Sequence, residues 1–553
     1  MGGAPEGFDA QLVLSEAGKA GGPVIHVARD DKRMAALREA LAFFAPDMPV
    51  VTFPGWDCLP YDRVSPNPDI SAARMATLAA LVHAMPDRFV LLTTLSAATQ
   101  YLPARDVLRE AAFTARVGDR VDEAALRAFL VRMGFVQAPT VTEPGDYAIR
   151  GGIIDIFPPG EGGPVRLDFF GDVLDGARRF DAATQRTTEK LDVVELAPVS
   201  EVILDEASIT RFRQNYRIEF GAGGSDDPLY ESVSAGRKQQ GMEHWLPFFH
   251  ERMETLFDYL PGAPVLMDDQ LTPARISRWD GIQDQYQTRR HAMTQKGRLD
   301  SVYKPVPPGQ LYLDDAAWEG AVAARRRVQF HPLAQASGPG VVDAGGRIGR
   351  NFAPERQQES ISLFGALADH VKARMQDGPV LIASWSEGAR ERLTGLIEDE
   401  GLAEAIPVAN ATRIGKRGLH LAVWALETGF EAPWGDQRIT VISEQDVLGD
   451  RLIRAPKKRR KAQNFLTEAQ SLSPGDLVVH VDHGIGRYQG LEVITAAGAA
   501  HECLLLEYAE SARLYLPVEN IELLSRYGHE DGLLDRLGGG AWQAKKARLK
   551  ERI

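Results

Sequence analysis

Apolar positions recur at two different spacings over the first 118 residues. Short β-rich runs occupy Pro23–Ala28, Val50–Phe53 and Phe89–Thr93. Between them, Lys32–Phe44 and Ala72–His83 repeat apolar residues at helical spacing. The face of the first predicted helix carries Met34, Leu37, Leu41 and Phe44. Strands that alternate with helices are typical of a parallel sheet, so residues 1–118 are predicted to form an α/β domain.

The pattern shifts toward a period of two between residues 119 and 205. One predicted helix, Glu123–Met133, is followed by short alternating strands at Gly152–Phe157, Val165–Phe170 and Val193–Leu196. Pro-Gly, Gly-Gly and Gly-Asp turns separate these strands. We therefore expect a small α+β insert at residues 119–205. Residues 206–335, which mix helix with irregular chain, are predicted to be the second part of the N-terminal module.

Strand–helix–strand patterning returns at residues 340–453 and predicts a small α/β domain there. Its predicted elements are Pro379–Ser384, Glu387–Asp399, Leu419–Trp424 and Ile439–Ser443. Residues 454–470 are predicted to form a basic linker, and residues 531–553 the start of a linking helix. Between them, residues 471–530 hold five or so short strands around glycine turns, which is typical of a small all-β barrel of SH3 or Tudor type. The fold class is thus multidomain, α/β and α+β, with this β domain near its end.

Composition and charge limit the classes of protein that the chain can represent. Its 553 residues are 44% hydrophobic and 25% charged, the proportions of ordinary globular domains. The net charge of −13 disfavours non-specific DNA binding, which needs clustered Lys and Arg. Cys58 and Cys503 lie far apart, which excludes a disulfide framework and a Cys-based zinc site and is typical of the reducing cytoplasm. The apolar runs are too short to cross a membrane.

A nucleotide-binding motif is missing from the sequence. Gly18-Lys19-Ala20 is the nearest approach to a phosphate loop, and it lacks both the preceding glycine and the hydroxyl that would hold Mg²⁺. Phosphate groups are bound by the amides of such a glycine-rich turn. We therefore expect this chain to bind no ATP, no metal and no other cofactor, and to have no catalytic residues.

Three groups of polar residues have both a functional and a simpler interpretation. His480 and His483 lie three apart, but no other ligands are spaced to complete a zinc site, so we favour hairpin histidines. Asp168 and Asp172 form an acid/base pair in one interpretation and solvent-facing residues in the favoured one. The run Lys457–Lys461 is interpreted as a solvated linker rather than a nucleic-acid track.

Arginines beside aromatic residues make the insert a candidate protein-binding surface. Arg166, Arg178 and Phe180 lie on short β segments, with Phe169 and Phe170 between them. Arginine and aromatic residues are enriched at the centres of protein interfaces. The alternative is a solvated sheet face with Phe180 in the core, and composition leaves both interpretations open.

Several longer motifs resemble a known family. Four stretches are similar to the RNA-polymerase-interacting domain shared by CarD-type regulators and bacterial transcription-repair coupling factors: Pro474–His480, His483–Tyr488, Tyr515–Val518 and Leu537–Gly539. The segment Pro54–Asp62 resembles the first domain of these coupling factors. Three segments resemble the UvrA-binding domain that these coupling factors share with UvrB: Tyr147–Gly152, Asp155–Phe157 and Arg166–Asp172. Together these motifs extend the resemblance over essentially the whole chain.

The resemblance implies an architecture and two protein partners. The architecture is a UvrB-like module without phosphate loop or DNA-clamping hairpin, then the small α/β domain and the polymerase-interacting domain. The residues implied to bind UvrA are Arg166, Arg178 and Phe180. Those implied to contact the β subunit of RNA polymerase are Arg487, Tyr488, Leu491 and Ile494, on an edge strand that can pair with a partner strand.

The resemblance also implies a role in transcription-coupled nucleotide excision repair, in which RNA polymerase stalled at a lesion is recognised and UvrA is recruited. Members of the family continue into a DNA translocase that uses ATP and Mg²⁺, so we expect DNA contacts mainly there. We expect this chain to be part of such a longer protein, to be a monomer and to act in the cytoplasm.

Two other classes of function stay open on the sequence. One is a UvrB-like excision-repair ATPase, against which the missing phosphate loop argues. The other is a purely regulatory, CarD-like polymerase binder, which a lack of UvrA binding would favour.

Overall fold

The computed structural model describes two stretches of the chain. The first is residues 1–449 apart from 63, 84, 161, 222–226, 295–302, 359–361 and 403–404, and the second comprises residues 475, 477–480, 483–496, 499–517, 524–528 and 534. They belong to two compact units, Met1–Asp450 and Arg451–Ile553. The predicted linker at 454–470 and, apart from residue 534, the predicted start of a linking helix at 531–553 lie outside the described residues.

Helices and strands alternate over the N-terminal part of the first unit. The helices are α1 Asp9–Ala20, α2 Asp31–Phe44, α3 Pro68–His83, α4 Leu95–Ala98 and α5 Arg105–Glu110, and the strands are β1 Val24–Ala28, β2 Val50–Phe53, β3 Val90–Thr94 and β4 Leu102–Pro103. Every residue of β1 and β3 is buried, as expected for central strands covered on both faces.

The insert is built around one predominantly antiparallel sheet. Its elements are β5 Phe113–Arg116, α6 Glu123–Arg132, β6 Val136–Gln137, β7 Asp146–Arg150, β8 Ile153–Ile156, β9 Val165–Phe170, β10 Val173–Phe180, β11 Thr187–Leu191 and β12 Val193–Leu196. Six strands are ordered β11-β10-β9-β8-β7-β6, and β5 pairs with β12. Leu126 and Leu130 of α6 belong to the same core cluster as Ile154 and Leu167 of the sheet, so α6 covers one face. The other face is covered in part by a small buried cluster that includes Phe180 and is otherwise exposed.

Residues 206–330 add helices and two strands that complete the first sheet. The elements are α7 Glu206–Phe220, α8 Pro228–Ser234, α9 Leu246–Phe249, β13 Met253–Glu254, α10 Leu256–Tyr259, β14 Val265–Met267, α11 Leu271–Thr294, α12 Pro308–Leu311, α13 Asp315–Val322 and β15 Arg327–Gln329. The first sheet has the order β15-β14-β1-β3-β2, and all its pairings are parallel. Of the helices that the structure describes, none combines the length and the apolarity needed to cross a bilayer.

The last part of the first unit is a second α/β sheet that shares a core with the first. Its elements are β16 Arg347–Ile348, α14 Ala353–Arg356, α15 Leu363–Arg374, β17 Val380–Ser384, α16 Glu387–Asp399, β18 Ile406–Pro407, β19 Leu419–Val423, β20 Phe430–Trp434, β21 Gln437–Ser443 and α17 Glu444–Leu448. Phe43 of α2 stacks on Trp424 with ring centroids 4.8 Å apart, and Phe8 lies 6.1 Å from Phe430. One apolar cluster therefore runs through both α/β parts.

The second unit contains a small antiparallel sheet. Its strands are β22 Leu477–His480, β23 Gly484–Ala496, β24 Ala499–Glu507, β25 Arg513–Pro517 and β26 Leu524–Gly528, ordered β25-β24-β23-β22-β26. Its core gathers Val478, Tyr488, Leu504, Leu506 and Tyr508. Within the described residues the two outer strands do not pair with each other, so closure into a barrel is not confirmed.

A buried ion pair connects the insert to the first sheet. Arg74 of α3 is fully buried, and its Nε donates to a carboxylate oxygen of Glu201, which follows the last strand of the insert and is also buried. Its Nη1 donates to the carbonyl of Pro54 at 2.8 Å, and its guanidinium lies 4.3 Å from the ring centroid of Phe53. Arg74 thus binds the end of β2, the loop that follows it and the return of the chain from the insert.

We expect Arg74→Met to lower the free energy of unfolding by about 3 kcal/mol, because Glu201 would be left as an uncompensated buried charge. Chemical denaturation measures this, and the double variant with Glu201→Met should recover part of the loss. The exposed pair Arg127–Glu123 provides the control, since Glu123→Gln should change stability by less than about 0.5 kcal/mol. If Arg74→Met and Glu123→Gln lowered the free energy of unfolding by the same amount, this account would be contradicted.

Candidate protein-binding surfaces

The solvent-facing side of the insert sheet carries the residues predicted to bind a protein. Alternation along β9 sends Val165, Leu167 and Phe169 into the core cluster and Arg166, Asp168 and Phe170 to the other face. The register places Asp155 of β8 opposite Arg166, and Arg166 opposite Arg178 of β10. Lys190 of β11 lies opposite Arg178, so one row of charges crosses four strands.

Arg166 is held by a bidentate pair with Asp155. Its Nε and Nη2 donate to the two carboxylate oxygens at 2.7 and 2.9 Å. The Asp155 side chain is buried, and hydrogen bonding to it raises the pKa of the Arg166 guanidinium above its usual value. Such a fork-to-carboxylate pair fixes the guanidinium in both position and plane.

Phe180 lies beneath this pair rather than on the surface. Its side chain is only 3% exposed and packs in a small cluster with Val141, Ala148 and Phe157. The Arg166 guanidinium lies 4.9 Å from the centroid of the Phe180 ring. The structure therefore places Phe180 as a support for Arg166, and a direct contact of its ring with a partner would require rearrangement.

Arg178 is the more accessible of the two predicted arginines. Its side chain is 44% exposed and its Nη1 lies 3.2 Å from Asp168. Asp172, weighed with Asp168 as an acid/base pair, lies instead 3.7 Å from Arg120. The two aspartates thus pair with different arginines, in agreement with the interpretation that favoured surface residues.

Two apolar residues of this face carry a signal that sequence reasoning did not use. Phe170 is 83% exposed, and Ile153 on the neighbouring strand is also exposed. From the sequence, Phe170 is predicted only as one of two aromatic residues between Arg166 and Arg178. The alternation that buries Leu167 and Phe169 would have placed Phe170 beside Arg166 and Asp168 on the solvent side.

In the second unit, the four predicted polymerase-contact residues all lie on β23 but in different environments. Tyr488 is 3% exposed and belongs to the core. Arg487 is half-buried, opposite Leu477 on β22 and Glu507 on β24. Leu491 is 46% exposed. Ile494 lies in the same strand opposite His501, and its side chain is outside the described residues.

The outer half of β23 presents a strand edge. Its pairing with β22 ends at Arg487, whereas its pairing with β24 continues to Ala496. From Gln489 to Ala496 the described residues therefore contain a partner strand on one side only. The unpaired side offers main-chain N–H and C=O groups that can bind an additional strand.

The loop after β1 occupies the position where a phosphate-binding turn would be expected in this kind of sheet. Here β1 is followed directly by Arg29, Asp30 and Asp31, and Asp30 caps α2 by accepting a hydrogen bond from the Arg33 amide. Arg33 in turn pairs with the buried Asp9 and lies 3.4 Å from Asp268. Protein carboxylates therefore occupy this helix end, and their charge disfavours a phosphate.

Two further side-chain pairs have the residue types of a nucleophilic site and of a metal site. The Cys58 Sγ lies 3.8 Å from His244 Nε2, but burial and nearby carboxylates raise the pKa of the thiol to about 12, and burial lowers the pKa of His244 to about 4. A neutral thiol beside a neutral imidazole is a poor nucleophilic pair. The rings of His480 and His483 lie 4.6 Å apart, and the described residues contain no cluster of three or more metal-ligating side chains.

Comparison with known proteins assigns a family match to each of the two surfaces. A family model described as "UvrB interaction domain" matches residues 113–201, and one described as "CarD-like/TRCF RID domain" matches residues 472–528. These matches cover the insert sheet and the β23 sheet, respectively.

Curated relatives match along almost the entire chain. The transcription-repair-coupling factor of Escherichia coli K12 is 31% identical over 98% of the chain. The proteins of the same name from Haemophilus influenzae and Bacillus subtilis are 31% and 23% identical over 99% and 96% of it. The chain spans 45 to 47% of the length of these relatives.

Both thiols should resist alkylation in the native protein. At pH 8, we expect little reaction of Cys58 with iodoacetamide, because a pKa near 12 instead of about 9 leaves very little thiolate. Cys503 is buried and should be protected by lack of access. Mass spectrometry after timed alkylation measures both sites, and the protein in guanidinium chloride, where both should react, is the control. Rapid native modification of Cys58 at pH 7 would show that it is a thiolate.

Proposed function

We propose that this chain, which belongs to the transcription-repair-coupling factor family and corresponds to the N-terminal part of its members, binds RNA polymerase and UvrA in transcription-coupled nucleotide excision repair. The observation that carries the proposal is the presence in one chain of a UvrB interaction domain and a CarD-like domain. In that role it recognises polymerase stalled at a lesion, helps to release it and recruits UvrA.

The chain spans less than half the length of the first relatives it matches, so the activity of a whole coupling factor is part of the proposal. ATP-driven translocation with Mg²⁺, and most of the DNA contact, are assigned to a region outside this sequence. Action as a monomer in the cytoplasm remains a prediction from the sequence.

The UvrA contact is assigned to the solvent face of the insert sheet. Arg178 is accessible there, and Arg166 is fixed by Asp155 in a defined orientation. Phe180 does not contact UvrA in this assignment; its buried ring packs against the Arg166 guanidinium and supports it. This assignment is supported by the match of residues 113–201 to the UvrB interaction domain.

The polymerase contact is assigned to the edge of β23 from Gln489 to Ala496, with Leu491 and Ile494 beside it and Arg487 at its base. Addition of a strand from the polymerase β subunit to this edge would satisfy its main-chain groups. Tyr488 keeps the strand in place from the core. Closure of the sheet into an SH3- or Tudor-like barrel belongs to the same proposal.

Two alternatives fit these observations less well. A UvrB-like ATPase would need phosphate-binding amides after β1, where Asp30 caps α2 instead. It would also need an exposed, tyrosine-rich DNA-clamping hairpin, which the resemblance would put between Tyr61 and Ile70. That segment of the sequence is short and rich in Pro and Asp, and Tyr61 is buried, with its ring centroid 5.7 Å from that of Tyr286. A purely regulatory polymerase binder would have no use for the insert sheet.

We expect Arg178→Glu to weaken UvrA binding by about tenfold or more, because it reverses an accessible charge at the proposed contact. Biolayer interferometry with purified UvrA measures the effect. Arg127→Glu is the matched control, since Arg127 lies on α6, which covers the opposite face of the sheet. Unchanged affinity of Arg178→Glu, with normal circular dichroism, would show that the UvrA contact lies elsewhere.

For the polymerase, Leu491→Arg should remove most binding to the isolated β subunit without unfolding the domain, because the side chain is 46% exposed. Arg513→Ala on β25 should bind normally, since β25 lies at the other side of the sheet. Co-purification from a defined mixture reports both results. Retention of polymerase by the Leu491 variant would exclude this part of β23 as the contact.

A further inference from the structure

Phe170 is a large apolar side chain that the fold leaves uncovered. It ends β9 on the same face as Arg166 and Asp168 and is 83% exposed. The chain beside it turns through Gly151 and Gly152, where the amide of Phe169 donates to the carbonyl of Gly152 at 2.7 Å. A Cβ at Gly151 would meet nothing within 4 Å, so the turn itself is open to solvent at this position.

The two arginines of this face already have carboxylate partners within the chain. Arg166 is engaged by both oxygens of Asp155, and Arg178 lies 3.2 Å from Asp168. A partner's carboxylate would have to compete with the aspartate already bound to each guanidinium, so the net gain in binding energy from either arginine is small. The arginines can therefore set the orientation of a partner more readily than they can supply its affinity.

Two apolar side chains on this face are exposed to solvent. Phe170 and Ile153, which both lie near the Gly151–Gly152 turn, form an exposed apolar end next to the charged row. Aromatic side chains that enter a pocket at an interface commonly supply most of its binding energy. An exposed phenylalanine that stabilises no core of its own is thus the strongest candidate for such an anchor.

We propose that Phe170, flanked by Ile153, is the apolar anchor through which the insert binds UvrA. It enters an apolar pocket on that protein, while Arg166 and Arg178, each held by its own aspartate, act as positioning residues around it. The occupant is taken to be UvrA because the apolar end is continuous with the face assigned to UvrA above, and the inference rests on that proposed function.

The test compares Phe170→Ala with Ile218→Ala in the otherwise unchanged chain. Ile218 lies on α7, is 82% exposed and is therefore a matched removal of exposed apolar surface outside the insert. With immobilised UvrA, we expect Phe170→Ala to weaken binding by about tenfold or more and Ile218→Ala by less than about twofold. Phe170→Leu should retain part of the affinity, since it keeps apolar volume. All three variants should melt at the wild-type temperature because the altered side chains are exposed.

The outcomes separate the inference from the function on which it rests. If the wild-type chain binds UvrA and Phe170→Ala binds equally well, the anchor is wrong and the proposed function stands. If the wild-type chain does not bind UvrA, the proposed function fails first. The alternative occupant of this face is a second copy of the chain, which sedimentation velocity detects. If the wild-type chain were a dimer and Phe170→Ala a monomer, the face would be a contact between two copies and the inference would be overturned.

Discussion

The position of the insert depends on a buried cation. Arg74 binds the carboxylate of Glu201, the carbonyl of Pro54 and the ring of Phe53, and these groups come from the end of β2, the loop after it and the return from the insert. A guanidinium removed from water is tolerated only when its hydrogen bonds are supplied at defined positions. The Pro54 carbonyl meets part of this requirement, and glycine at the next position lets the loop pass close to Ser96, whose Oγ a Cβ at Gly55 would strike.

The sequence predicted elements better than it predicted environments. Strand–helix alternation located β1, β3 and β17, and the helix Glu387–Asp399 has the predicted bounds. Within α2, Leu37 and Leu41 are buried as predicted, whereas Met34 and Phe44 of the same predicted face are only half-buried. Arg33 and Phe43, which the periodicity did not select, are buried as well. Arg33 is buried by Asp9 and Asp268, and Phe43 by Trp424. These partners lie up to hundreds of residues away, so local periodicity carries no information about them.

For the candidate sites, too, the sequence identified residues but not their burial. Composition identified Arg166, Arg178 and Phe180 as a group, and the register brings Arg166 and Arg178 directly opposite each other. Composition could not show that the Phe180 ring is buried beneath Arg166 while the Phe170 ring is exposed, because burial depends on which strands flank each position. Phe180 packs against Ala148 of β7 and against Val141 and Phe157 of neighbouring loops, whereas Phe170, at the end of β9, is exposed. In the second unit, the burial of Tyr488 and the exposure of Leu491 differ for a similar reason.

The long strand β23 has a property that goes beyond docking. An unpaired strand edge is also a template for pairing with another copy of the same chain, which leads to aggregation. Here the register shifts between Tyr488 and Gly490, Gly490 adopts φ +145°, and Glu492 is exposed near the middle of the edge. A bulge twists the edge and a charge penalises stacking of identical strands. The edge is therefore selective about what joins it, because a second copy would bring the same bulge and the same negative charge.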